Sequence, residues 1–470
     1  MSQQQLKKDI GFFAALTTVI GTVIGAGVFF KPTALYGVTG TASLGLLAWV
    51  IGGILTVCAG LTAAELSAAI PETGGMMAYL KRTYGNLTAF LLGWAQTVIY
   101  FPANIAALAI IFGTQTVSLF GLNVNEHKML IIAIAIITAT FVTLMNFLGA
   151  KAAGGIQMAS TICKLVPLAL IIIFGLLHKS DVTFQLFPIE AGPNKSMISA
   201  LGSGLLATMF AYDGWIHVGN IAGEMKNPKK DLPKAIVLGL STVMVVYLLI
   251  NVAFLMVMSA TSLAGTDTPA SQVATILFGA MGGKLVTIGI LISVFGTING
   301  YIMTGMRIPY AMAIENKLPF SKWFATLSKN SRIPYNSGLF MLFISIIMMA
   351  VGGFNTLTDM LVFVIWIFYT MTFLAVFILR KREPELVRPY KVPLYPFIPL
   401  VAIIGGLFIV INTLFTQPLL ALCGIGLTAL GLPIYYTMRK KGQFGLENGG
   451  DDFIPKPFHY EVVVAKIRSH

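Results

Sequence analysis

Two short stretches inside apolar runs carry residue types that could hold a charged ligand. The first is Gly21-Thr22-Val23-Ile24-Gly25-Ala26-Gly27. Glycine is common in membrane helices because it allows close packing. Three glycines within seven residues exceed what packing asks for and predict local unwinding. The second stretch is Phe210-Ala211-Tyr212-Asp213-Gly214-Trp215, followed by Ile216, His217, Gly219 and Asn220. Here an aspartate stands beside a glycine inside an apolar run, and an intramembrane carboxylate is costly and usually functional. A broken helix frees backbone groups. Half-helix N-termini aim N–H groups into the break, where they suit a carboxylate. Freed carbonyls suit an ammonium. An α-amino acid carries both charges on one carbon, so two facing breaks could recognise it with few charged side chains.

Other residues are weighed the same way. Lys164 lies mid-span in Thr161-Ile162-Cys163-Lys164-Leu165-Val166-Pro167. A lysine near a span end snorkels to the interface, but this apolar run extends well to both sides, so a functional ammonium is expected. Asp213 could contact a cationic substrate or cap the broken helix, and both readings stay open. Glu65 is expected in a structural salt bridge or packing contact. Tyr247 could hydrogen-bond across the core, and Trp215 is expected to pack. The three cysteines, Cys58, Cys163 and Cys423, lie in apolar runs far apart, with neither a disulfide nor a metal-ligand spacing. No nucleophile–base constellation or phosphate loop is present, which argues against an enzyme, and no metal or cofactor is expected.

The elements that must position these residues follow from composition. The chain has 470 residues, of which 56% are apolar and only 10% charged, and its mean hydropathy is +0.84. Soluble domains carry roughly 25% charged residues, so the chain belongs to the membrane class. A spanning helix needs about 20 mostly apolar residues. Such runs predict twelve spans, near 11–35, 41–69, 87–120, 128–148, 155–177, 197–222, 235–258, 285–314, 336–353, 357–380, 394–415 and 418–438. A polar segment near 261–283 is expected to hold an outer helix around 270–280. The N-terminal MSQQQLKKD precedes a retained first span, since no small-residue cleavage site follows it.

The net charge of +13 is read as topology rather than nucleic-acid binding, because the basic residues sit between apolar runs. One side carries Lys7, Lys8, Lys81, Arg82, Lys151, the clusters at 226–234, 307–332 and 380–391, and Arg439-Lys440-Lys441; the other carries Lys31, Lys128, Lys179, Lys195 and Lys284. Both termini are therefore expected in the cytoplasm. The two interrupted spans, the first and the sixth, open two groups of five. Such paired breaks point to a transporter built from inverted repeats.

At these residues the chain resembles a known family. Gly21-Thr22-Val23-Ile24-Gly25-Ala26-Gly27-Val28-Phe29 is similar to the first-helix signature of the amino acid–polyamine–organocation superfamily. Glu65-Leu66-Ser67-Ala68-Ala69-Ile70-Pro71-Glu72-Thr73-Gly74-Gly75 is similar to its second-helix signature. The 210–215 stretch, with Glu224-Met225-Lys226-Asn227-Pro228 and Leu232-Pro233-Lys234-Ala235-Ile236, resembles the L-amino acid transporter branch. The likeness runs from about residue 11 to 440 and points toward bacterial alanine–serine–cysteine exchangers.

The resemblance implies an all-α integral membrane protein with the leucine-transporter fold. Its core would span 11–380 as two inverted repeats, about 11–177 and 197–380, with helices 11 and 12 at 394–438 and cytoplasmic tails at 1–10 and 439–470. It implies that the N–H groups of Ala26 and Gly27 bind the substrate carboxylate, within a break formed by Gly21, Thr22, Ile24 and Gly25. Carbonyls at Val23, Phe210 and Asp213 would hold the amine. Phe210 would be an aromatic outer gate, Lys164 a substitute for a sodium ion, and Ser293 and Asn299 would lie on the eighth helix facing the first. Tyr247 would support the core. Ala26 replaces the usual serine, so a hydroxyl contact is missing there. The animal relatives pair with a heavy chain through a cysteine between spans three and four; the loop at 121–128 has none, so no disulfide-linked partner is implied. The implied activity is sodium-independent exchange of small neutral L-amino acids across a cell inner membrane by alternating access. The alternatives are an exchanger also taking cationic amino acids, a proton-coupled symporter, and a channel.

Overall fold

The computed structural model describes residues 11–70, 75–148, 150–179, 182–216, 225–331 and 333–440. Pro71–Gly74 of the second-helix signature and His217–Glu224 after the second break lie outside the described residues. So do both outer tails, 1–10 and 441–470. The described residues form helices and connecting turns, with no strand among them.

The apolar run at the start forms α1 (Phe12–Val23) and α2 (Gly27–Thr39), joined at a 47° bend. Ile24, at ψ 98°, leaves the helical region and ends α1. α2 closes on Gly40 at φ 72°, the left-handed cap that glycine adopts without penalty. Thr41 then caps α3 (Ala42–Ala69) by accepting from the Leu44 amide. α4 (Met76–Tyr84) and α5 (Asn86–Ala95) follow. α5 runs through a π-turn at Gln96–Tyr100 into α6 (Phe101–Leu119) as one 34-residue apolar unit. Next come α7 (Lys128–Phe147) and α8 (Ala150–Leu176).

α9 (Met197–Ala211) stops at the second break, where Gly214 takes φ 102°. α10 (Pro228–Val257), the short α11 (Ala260–Ala264) and α12 (Pro269–Gly305) follow. α12 folds at Gly279, which takes φ 73° and ψ 178°. The expected outer helix is therefore the first arm of α12, ending at that kink, and the span begins a few residues earlier than its hydropathy suggests. α13 (Arg307–Ile314), α14 (Ser321–Phe324), α15 (Tyr335–Val351), α16 (Phe354–Arg382), α17 (Phe397–Thr416), α18 (Pro418–Ala429) and α19 (Gly431–Lys440) complete the chain.

Eight helical units among the described residues are long and apolar enough to cross a membrane, or nine with the bent α1–α2 pair. Shorter apolar helices, Cys163–Leu176, Met197–Ala211 and Tyr335–Val351, occupy the places expected for spans five, six and nine. Large apolar side chains such as Phe415, Leu419 and Val351 are exposed on the outer surface, as a surface solvated by lipid requires. The protein is therefore a polytopic membrane protein.

Candidate functional site

The two breaks face each other across a backbone contact that only small residues permit. A Cβ built on Gly27 would lie 2.7 Å from the Ala211 Cα. A Cβ built on Gly214 would lie 2.7 Å from the Thr22 carbonyl oxygen, at a φ of 102° that side chains rarely adopt. Gly25 differs: its nearest neighbours, the Val23 oxygen and Thr297 Cγ2, are 3.8 and 3.9 Å away. Gly25 thus leaves room, whereas Gly27 and Gly214 let the two chains touch.

Tyr247, on α10, joins the breaks. Its hydroxyl lies 3.0 Å from the Val23 oxygen and 2.9 Å from the Ala211 oxygen, so one proton serves a freed carbonyl from each break. Its ring meets Trp49 and Tyr212 at 5.4 and 5.1 Å between centroids, and the Tyr212 hydroxyl donates to the Trp49 carbonyl at 2.9 Å.

Lys164 reaches across from α8 and donates to the Gly21 oxygen at 2.7 Å. That carbonyl belongs to the last turn of α1, which has no further helix to donate to it. The ammonium therefore sits at the negative end of a half-helix, where a cation is favoured. Ser293 lies on α12 as expected, and among the described residues its buried hydroxyl has no hydrogen-bond partner. Asn299 departs from expectation. It accepts from Asn146 of α7 at 2.9 Å, tying α12 to α7. The α12 residues on the cavity wall are instead Thr297, Gly300, Tyr301, Met303 and Thr304. Ser293 shares a helix face with Thr297 but lies one turn away from the cavity wall, whereas Asn299 is one residue, about 100°, off the face of Gly300.

Asp213 is held in a way that neither expectation contained. Tyr369 of α16 donates to Oδ1 at 3.0 Å, and the Tyr100 hydroxyl donates to Oδ2. Tyr100 is the last residue of the π-turn, and such single-turn bulges collect at functional sites because they re-aim a side chain. Trp215 packs as expected, 5.1 Å from Tyr369 between ring centroids. Glu65 is a structural anchor: Arg380 pairs with it bidentately at 2.8 and 2.6 Å, and the Val392 amide donates to it at 2.7 Å.

A cavity of about 600 Å³ lies where the breaks meet. Its wall runs along Gly21 to Gly27, takes in Phe210, Ala211, Asp213 and Gly214, and includes Lys164. The cavity extends past Thr17 and Thr18 of α1. On the Phe210 side that ring packs edge-on against Phe354 of α16 at 5.7 Å, and both rings are buried. α2 starts on this wall, at Ala26 and Gly27, and first-turn amides lack partners within their helix.

A comparison with protein families matches residues 10–430 to the model described as amino acid permease. The chain belongs to the amino acid permease family. It is a transporter, not an enzyme. A serine/threonine exchanger of Bacillus subtilis is 42% identical over 438 residues, covering 93% of this chain and 98% of that protein. A mouse large neutral amino acids transporter small subunit 2 is 30% identical, covering 92% of this chain and 81% of its own length. A human cystine/glutamate transporter is 29% identical over 92% of this chain. These likenesses agree with the L-amino acid branch that the 210–215 stretch suggested.

Sequence reasoning missed four members of this permease's centre. Tyr100, Tyr301 and Tyr369 lie in spans where aromatic residues are common, so nothing in the local sequence sets them apart. Lys31 was counted with the outer basic residues, yet it is fully buried. Its position four residues inside the end of the expected span 11–35, between Phe30 and Pro32, was the signal available.

Proposed function

We propose that this permease exchanges small neutral L-amino acids by alternating access, without sodium, across a cell inner membrane with both termini in the cytoplasm. The proposal takes twelve spans in the leucine-transporter arrangement, with the first and sixth interrupted. The observation that carries it is the meeting of both breaks at one cavity, with α2 starting there and Lys164 on the Gly21 carbonyl.

The substrate carboxylate would lie against the first amides of α2, at Ala26 and Gly27, and the amine against carbonyls at Val23, Phe210 and Asp213. Val23 already accepts from Tyr247, but a carbonyl has two lone pairs and can take a second donor. Neutral substrates are favoured because two tyrosine hydroxyls hold the Asp213 carboxylate in place, and the Bacillus subtilis relative is named for serine and threonine. The Lys164 ammonium places a positive charge at the end of α1, which removes the need for an ion there. The exchanger named for serine and threonine in Bacillus subtilis supports both the mode and the substrate size.

The test is a counterflow panel with purified protein in liposomes. Vesicles loaded with serine or alanine should take up labelled serine, while empty vesicles should not. Serine amide and ethanolamine should fail to compete, since each lacks the carboxylate. Uptake that is independent of internal amino acid would contradict exchange, and competition by ethanolamine would contradict the first-break site.

A further inference from the structure

The Phe210 side of the cavity is secured by a buried cation. Lys31 Nζ, on α2, lies 2.7 Å from Thr358 Oγ1, 3.0 Å from Asp359 Oδ1 and 3.4 Å from Asn355 Oδ1. Three acceptors thus meet three ammonium protons. All three stand near the start of α16 at spacings that share one helix face. The same Nζ lies 5.4 Å from the Phe210 ring centroid and 5.3 Å from that of Phe354. The charge that fastens α2 to α16 therefore also holds the ring that caps the cavity.

Asp359 has a second oxygen, and its partner comes from elsewhere in the fold. Gln417 Nε2 donates to Oδ2 at 3.2 Å from the turn between α17 and α18. A carboxylate held at one oxygen can turn about its terminal torsion, which is broad. Held at both, it keeps Oδ1 on Lys31. We propose that Gln417 is a positioning residue for this closure, and that the α17–α18 turn thereby sets how readily the Lys31 side opens. The proposal rests on the exchange reading above, because opening of that side has meaning only for a carrier that alternates.

Gln417 touches no substrate in this account, so its loss should shift the balance between the two faces rather than abolish exchange. The test measures the apparent KM for serine exchange from each face, in right-side-out and inverted vesicles. Gln417→Leu should lower KM on the Lys31 side relative to the other side by about two- to tenfold, the net effect of one typical hydrogen bond. In an Asp359→Asn background, Gln417→Leu should add little, because the charge it orients is gone. An unchanged ratio of the two KM values, or an equal change on both faces, would overturn the proposal. Full additivity with Asp359→Asn would also overturn it. Absence of counterflow in the wild type would instead refute the exchange reading, so the two failures are distinguishable.

Discussion

The Tyr247 hydroxyl stands between the Val23 and Ala211 carbonyl oxygens, 3.0 and 2.9 Å from them, and so couples the end of α1 to the end of α9. Removing it would leave two buried carbonyls without this donor, at a cost of about 1–3 kcal/mol. Tyr247→Phe keeps the ring and its packing on Trp49 and Tyr212. It should therefore insert and fold, yet transport should drop several-fold. Wild-type exchange kinetics in Tyr247→Phe would reduce the residue to packing.

The three glycines of the breaks make distinct forecasts. Gly27→Ala forces a methyl against the Ala211 Cα, and overpacking of this kind costs about 1–3 kcal/mol. It should abolish exchange. Gly214→Ala should do the same, since it meets both an unfavourable φ and the Thr22 carbonyl. Gly25→Ala has room and should preserve folding while raising KM, because the methyl enters the cavity wall. Equal activity in all three would remove the argument that the breaks must touch.

The contact between the breaks was legible in part. Glycine density marked the first interruption, an aspartate beside a glycine marked the second, and Lys164 stood out as a charge with long apolar flanks. The depth of the cavity along α12 was not legible: Ser293 shares the face of Thr297 one turn away, and Asn299 turns aside, while Thr297 and Tyr301 line the cavity. The partners of Asp213 come from α16 and the π-turn, far away in sequence, and periodicity carries no information about such pairs. The kink at Gly279 was hidden because hydropathy does not report a backbone torsion.

Asp213 offers a test of selectivity. If the Tyr100 and Tyr369 hydroxyls hold its carboxylate in a structural role, arginine should not compete with serine uptake. Tyr369→Phe removes one of these donors and should introduce weak arginine competition while slowing serine exchange. Strong arginine competition in the wild type would show that Asp213 reads the substrate.

Phe210 packs against Phe354 with Lys31 beside both rings. Phe210→Ala should raise the apparent KM for serine about tenfold or more, since both ring packing and the cation contact are lost. Phe210→Trp should be milder. Indistinguishable kinetics for the three proteins, measured by counterflow, would separate Phe210 from the substrate path.

The central claim is that Lys164 replaces an ion at the end of α1. Its direct measurement is serine counterflow in sodium-free liposomes with no pH gradient, comparing wild type with Lys164→Ala. The account predicts full exchange in the wild type, unchanged when sodium is added. It predicts loss of at least about tenfold in Lys164→Ala, since breaking a buried, charge-assisted contact is strongly destabilising to the group left behind. A strict sodium requirement in the wild type, or full activity in Lys164→Ala, would contradict it.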